Sequence, residues 1–168
     1  MPGSDGTFIL VATYPDERTA RADYKAIRQA HARGLVGSYD AAVITKDASG
    51  RVHENKDETA TRRGAWWGIA AGAAIGLLFP PSMIGSAALG GVIGGVGAHL
   101  AKGMSRSQAR ELGDLIDPGQ AGLVVIGEAK VEAGIRKAIG MAQMQASRQL
   151  DLSPAEVDQI LKDMISAL

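Results

Sequence analysis

From Gly64 to Ala101 the chain runs for 38 residues without one Asp, Glu, Lys or Arg. The flanks are ordinary: residues 1–63 carry ten basic and nine acidic side chains, and residues 102–168 carry eight and nine. The neutral stretch, with Gly103 at its exit, holds half of the 22 glycines. A helix that rich in glycine is disfavoured in water by about 1 kcal/mol per Gly relative to Ala. It persists only under cover, from other protein or from lipid.

Gly64, Gly68, Gly72 and Gly76 recur every four residues and so share one helical stripe without side chains. Such a stripe lets a second helix approach to backbone contact. Leu77-Leu78-Phe79-Pro80-Pro81 ends this helix, because two prolines cannot continue it. A second apolar stretch, Met83–Ala101, repeats the theme with Ser86, Gly90, Gly94 and Ala98 in one row and Gly91 and Gly95 beside it. The pattern predicts a tight helical hairpin over 64–101, a glycine zipper. As helices, Gly64–Phe79 and Met83–Ala101 would rise roughly 24 Å and 28 Å, against a hydrocarbon core of about 30 Å.

The flanks favour a bilayer. Arg62, Arg63, Lys102, Arg106 and Arg110 gather at the two ends of the segment, with Trp66 and Trp67 just inside. Basic residues mark the cytoplasmic side and tryptophan prefers the interface. Membrane attachment on the cytoplasmic face is therefore the leading expectation. A soluble homo-oligomer that buries the segment between subunits is the alternative.

The charged flanks read as an α+β unit. Phe8–Tyr14 is an apolar run of strand formers, followed by Asp16 as N-cap and a helix over about 17–33 with Ala20, Tyr24, Ile27 and His31 on one face. Tyr39–Thr45 and Arg51–Asn55 read as strands joined by the turn Lys46–Gly50, the second of them nearer an edge. A helix from Ser105 or Ser107 through Ile116, stopped by Asp117-Pro118-Gly119, leads to a fourth strand, Ala121–Gly127. The order βαββαβ is that of a ferredoxin-like unit. Residues 1–63 and 102–129 would be its two halves, and the hairpin its insertion, with both ends of the insertion close together.

Residues 130–168 are expected to be a helical extension. Val131–Ser147 shows helical spacing in Ile135, Ile139, Ala142 and Met144, and Ser153-Pro154-Ala155-Glu156 is a capped helix start. On that last helix Val157, Ile160, Leu161, Met164, Ile165 and Leu168 form one apolar stripe. It packs on its own domain or serves as an arm for a neighbouring subunit.

From Phe8 to Ile139 the chain resembles a bacterial family of unknown function, usually described as uncharacterised membrane proteins. The shared features are the Ile9-Leu10-Val11 strand, the Asp40–Ile44 strand with its Lys46-Asp47…Gly50 turn, the glycine-repeat hairpin, and Leu112-Gly113…Pro118-Gly119 leading into Leu123-Val124-Val125. Some relatives are labelled general-stress proteins. The resemblance implies a ferredoxin-like half and membrane attachment and brings no catalytic residues. After Met141 the chain departs from that family's shorter pattern.

Little in the sequence points to a reaction. Cysteine is absent, which excludes disulfides, thiol catalysis and thiolate metal sites. His31, His53 and His99 fall on three separate elements without metal spacing. The run Gly90–Gly97 lacks both G-x-G-x-x-G and G-K-[ST], so packing explains it better than a nucleotide does. Eighteen basic residues balance eighteen acidic ones, so there is no general basic field for nucleic acid. Met1–Asp5 shows neither a positive nor an apolar region, so no secretory signal is expected. The sequence thus predicts a non-enzymatic, self-associating structural or stress-related protein without cofactor or metal. A ligand-binding module on the sheet is a third reading.

Overall fold

The computed structural model describes residues 6–37, 39–55, 67–84 and 103–167. The elements are β1 (Thr7–Tyr14), α1 (Glu17–Ala32), β2 (Tyr39–Lys46), β3 (Val52–Asn55), α2 (Trp67–Leu78), α3 (Arg106–Gly113), β4 (Ala121–Glu128), α4 (Glu132–Ala138), β5 (Met144–Leu150) and α5 (Pro154–Ala167). Short 3-10 turns lie at Pro81–Met83 and Ala129–Val131.

The strands form one antiparallel sheet in the order β3-β2-β4-β1-β5. β1 lies between β4 and β5, with Val11 opposite Val124 on one side and Ala146 on the other. All of β1 is buried, as its unbroken apolar run requires of an inner strand. β3 is an edge strand, in line with its polar sequence.

Alternation along the strands divides the core in two. On one face Phe8, Leu10, Val43, Leu123 and Val125 pack with Ala20, Tyr24 and Ile27 of α1 and Ile135 of α4. On the other, Ile9, Val11, Ala42, Ile44, Val124 and Ile126 meet Ala71, Ala74, Ile75 and Leu78 of α2, Leu112 of α3 and Val157 of α5. The result is three layers, helices over both faces of a sheet.

The local signals act as their chemistry dictates. Asp16 caps α1 by accepting the Thr19 N–H at 2.9 Å. Ser105 caps α3 and Ser153 caps α5, each hydroxyl accepting a backbone N–H three residues on, at 3.2 Å. Gly50 takes φ +89° in the β2–β3 turn, where Asp47 accepts the N–H groups of Ser49 and Arg51 at 2.9 Å each.

One expectation is corrected. Val131–Ser147 is not one helix: α4 covers Glu132–Ala138, and Met144–Leu150 is a strand paired along its whole length with β1. The sheet therefore has five strands, the last from residues expected to be helical. The two ends of the expected insertion, Gly64 and Ala101, lie outside the described residues. The first neutral helix ends at Leu78, next to the proline pair as expected; its described part, α2, has 12 residues, about 18 Å of rise. No helix among the described residues is long and apolar enough to cross a membrane.

Candidate functional site

The described part of the neutral segment is seated on the sheet. Ala71, Ala74, Ile75 and Leu78 recur at helical spacing and are all at most 3% exposed. They cover Ala42 and Ile44 of β2 and Val124 and Ile126 of β4. Fully burying Ile75 and Leu78 contributes about 1.5–3 kcal/mol each. That burial counters the poor helix propensity of the glycines. Cover for α2 thus comes from the protein's own sheet.

β2 carries a charge at each end of this seat. Asp40, Ala42, Ile44 and Lys46 alternate onto the face under α2. Asp40 is 7% exposed, and its carboxylate accepts the Ala71 N–H and the Ala41 N–H, each at 3.0 Å. Burial raises its carboxyl to about 7; the two backbone N–H groups oppose the rise, and the Glu54 carboxylate adds to it by repulsion. Lys46 is also 7% exposed; its ammonium donates to the Ile116 carbonyl at 2.9 Å and stands 5.8 Å from the centre of the Phe79 ring. An anion near the start of an uncharged helix and a cation past its end both complement its dipole.

Beyond α2 the packing is close. A Cβ at Gly113 of α3 would stand 2.6 Å from the Leu78 carbonyl oxygen, so glycine is what lets the two helices touch. Helical geometry turns Gly72 and Gly76 roughly 120° away from the sheet-facing stripe, and Gly76 is partly exposed.

The other buried polar groups hold backbone. Asp23, 2% exposed, accepts the Tyr14 hydroxyl at 2.8 Å and the N–H groups of Gly140 and Met141, which ties α1 to the loop before β5. Burial first, then the bond to Asp23, pushes the Tyr14 hydroxyl far above its usual range. The Nδ1 of His31 lies 2.9 Å from the Val36 carbonyl and 3.1 Å from that of Gly37; since both are acceptors, Nδ1 carries the hydrogen. His53 pairs with Asp47 at 2.9 Å. Among the described residues no group of three or more His, Asp or Glu is placed to hold a metal.

Of the residues singled out in the sequence, Gly68, Gly72 and Gly76 lie on α2, Trp67 begins it, and Arg106 begins α3, exposed. Val157 is buried and Ile160 packs partly buried against the same core, while Leu161, Met164 and Ile165 lie further along α5. Gly64, Gly90, Gly91, Gly94, Gly95, Arg62, Arg63, Trp66, Lys102 and Leu168 lie outside the described residues, as do His99 and the second helix of the expected hairpin. Asp40 and Lys46 were not singled out. Their signal is parity: both share the alternation of the buried Ala42 and Ile44, so a strand covered on that face must bury them.

Residues 65–164, more than half of the chain, match the model of a family described as protein of unknown function (DUF1269). The match runs from the start of α2 into α5, through the region after Met141 where the resemblance was expected to lapse. No curated protein and no solved structure matches the chain. From its seated neutral helix to its last helix, the chain belongs to the DUF1269 family of proteins of unknown function.

Proposed function

We propose that the protein is a non-enzymatic, self-associating structural protein, in which a ferredoxin-like unit carries a glycine-zipper segment through which copies assemble. The observation that carries this reading is the seating of α2. Its apolar stripe is used up on the sheet, and Gly72 and Gly76 are turned away, where a second smooth helix fits. The chain supplies such a sequence in Ser86, Gly90, Gly94 and Ala98. The ferredoxin-like reading draws support from strand order. β4 lies between β1 and β2, and β1 between β4 and β5, which makes β1-α1-β2 and β4-α4-β5 two interleaved split βαβ units. β3 and α3, expected from the sequence to be the unit's third strand and second helix, then fall outside it, in the stretch between its halves. A non-catalytic role fits the use of Asp23, Asp40 and Lys46, whose buried charges are engaged by groups of neighbouring elements.

The test is the mass of the full chain in solution, measured by light scattering, for wild type and for Gly72→Leu with Gly76→Leu. A homo-oligomer that the paired substitution reduces to monomer supports the reading. An unchanged mass, or a monomeric wild type, overturns it.

A second reading places residues 85–101 in the cytoplasmic face of a membrane, as a stress-related anchor. It is favoured by Arg62, Arg63, Lys102 and Arg106 around a neutral run, each basic residue contributing about 1 kcal/mol near an anionic surface. Flotation of the expressed protein with anionic vesicles separates the two: recovery of a large species in the soluble fraction favours assembly.

A further inference from the structure

One buried carboxylate lies at the joint between α2 and the sheet. Asp40 joins two elements, one oxygen bonded to Ala41 on its own strand and the other to Ala71 within α2. Among the described residues its surroundings hold little to balance a charge. α2 has no charged residue, and the residue opposite on β4 is the apolar Ile126. Further along that strand, Glu128 pairs with Lys130 at 3.1 Å. On β3 Glu54 adds a second negative group, while His53 alternates to the other face and holds Asp47. Lys46, the cation on the same face, is six residues away and engaged with Ile116. On α5, Asp158 pairs with Lys162. Residues 56–66, which carry Lys56, Asp57, Glu58, Arg62 and Arg63, lie outside the described residues.

We infer that Asp40 is a proton-operated latch for α2: protonated, it fastens the helix to the sheet, and ionised, it loosens it. The sign follows from burial. Seated under α2 the carboxyl binds its proton up to about pH 7, whereas an exposed carboxyl releases it near 3.8. The seated state therefore holds the proton more tightly, and its advantage is full below the exposed value. The lifting equilibrium rises about tenfold per pH unit between the two values and levels off above the upper one. The latch acts within one chain and stands whether or not copies associate.

Hydrogen exchange of the full chain, corrected for intrinsic rates, tests it on peptides covering α2. In wild type, opening of α2 should rise about tenfold per unit from pH 5 to 7 and level off by pH 8. Asp40→Asn, neutral at every pH, should remove the slope. Peptides from α1, on the opposite face, should show no such slope. A flat wild-type profile, a slope that survives in Asp40→Asn, or an equal slope in α1 overturns the inference. So does a slope lost in His99→Gln. Should Asp40→Asn not fold, Asp40→Ala, which also carries no titrating group, decides: a slope that survives in it rejects the latch.

Discussion

Asp40 and Lys46 stand six residues apart on one face of β2 and bracket α2, the carboxylate bonded to Ala71 and the ammonium set beside Phe79 just past the helix end. The charges that α2 lacks are supplied by the strand beneath it. The ammonium favours this direction of the helix along β2, since reversing α2 would set the cation against the positive end of its dipole.

Lys46→Met keeps the aliphatic stem and removes the ammonium. It leaves the carbonyl of Ile116, a residue with no exposed surface, without its donor. A loss of about 1–3 kcal/mol is expected, measured by urea unfolding.

Gly113→Ala introduces a methyl 2.6 Å from the Leu78 carbonyl oxygen, a backbone atom that cannot swing aside. α3 must then shift from α2, at a cost of about 1–3 kcal/mol. Gly140→Ala, where an added Cβ meets nothing within 4 Å, is the control, and its unfolding midpoint should stay near wild type.

Tyr14→Phe removes one of the donors to the buried Asp23, whereas Asp23→Leu leaves the Tyr14 hydroxyl and the N–H groups of Gly140 and Met141 without their acceptor. The first should cost about 1–3 kcal/mol and the second clearly more, by chemical denaturation.

Asp47 governs the acid side. Hydrogen bonds from the Ser49 hydroxyl, from His53 and from the Arg51 N–H hold its carboxyl well below the ordinary carboxylate range. Its contribution is present above the ordinary value and fades as pH falls through the lowered one. The thermal midpoint of Asp47→Asn should therefore fall less steeply than that of wild type on acidification below about pH 4.

The neutral segment and the charged unit around it were legible because each has a local cause. Asp16, Ser105 and Ser153 announce helix starts by the acceptor they carry, and Gly50 allows the turn that Asp47 closes. β1 reads as an inner strand because it is apolar at both parities, and β4 as a strand for its apolar run. The site was less legible. Asp40 and Lys46 look like ordinary strand-end charges until something covers that face of β2.

Sequence alone determined where α1, β1, β2, β4 and α5 lie, since capping, turn chemistry and hydrophobic period act within a few residues. Tertiary structure decided β5 and the place of α2. Met144-Gln145-Ala146-Ser147-Arg148-Gln149-Leu150 is made mostly of good helix formers, and its extended form comes from pairing with β1, a partner more than 130 residues earlier. α2 has apolar or small residues all round, so its own pattern selects no face. The sheet, with a carboxylate at one end of the seat and an ammonium at the other, selects it.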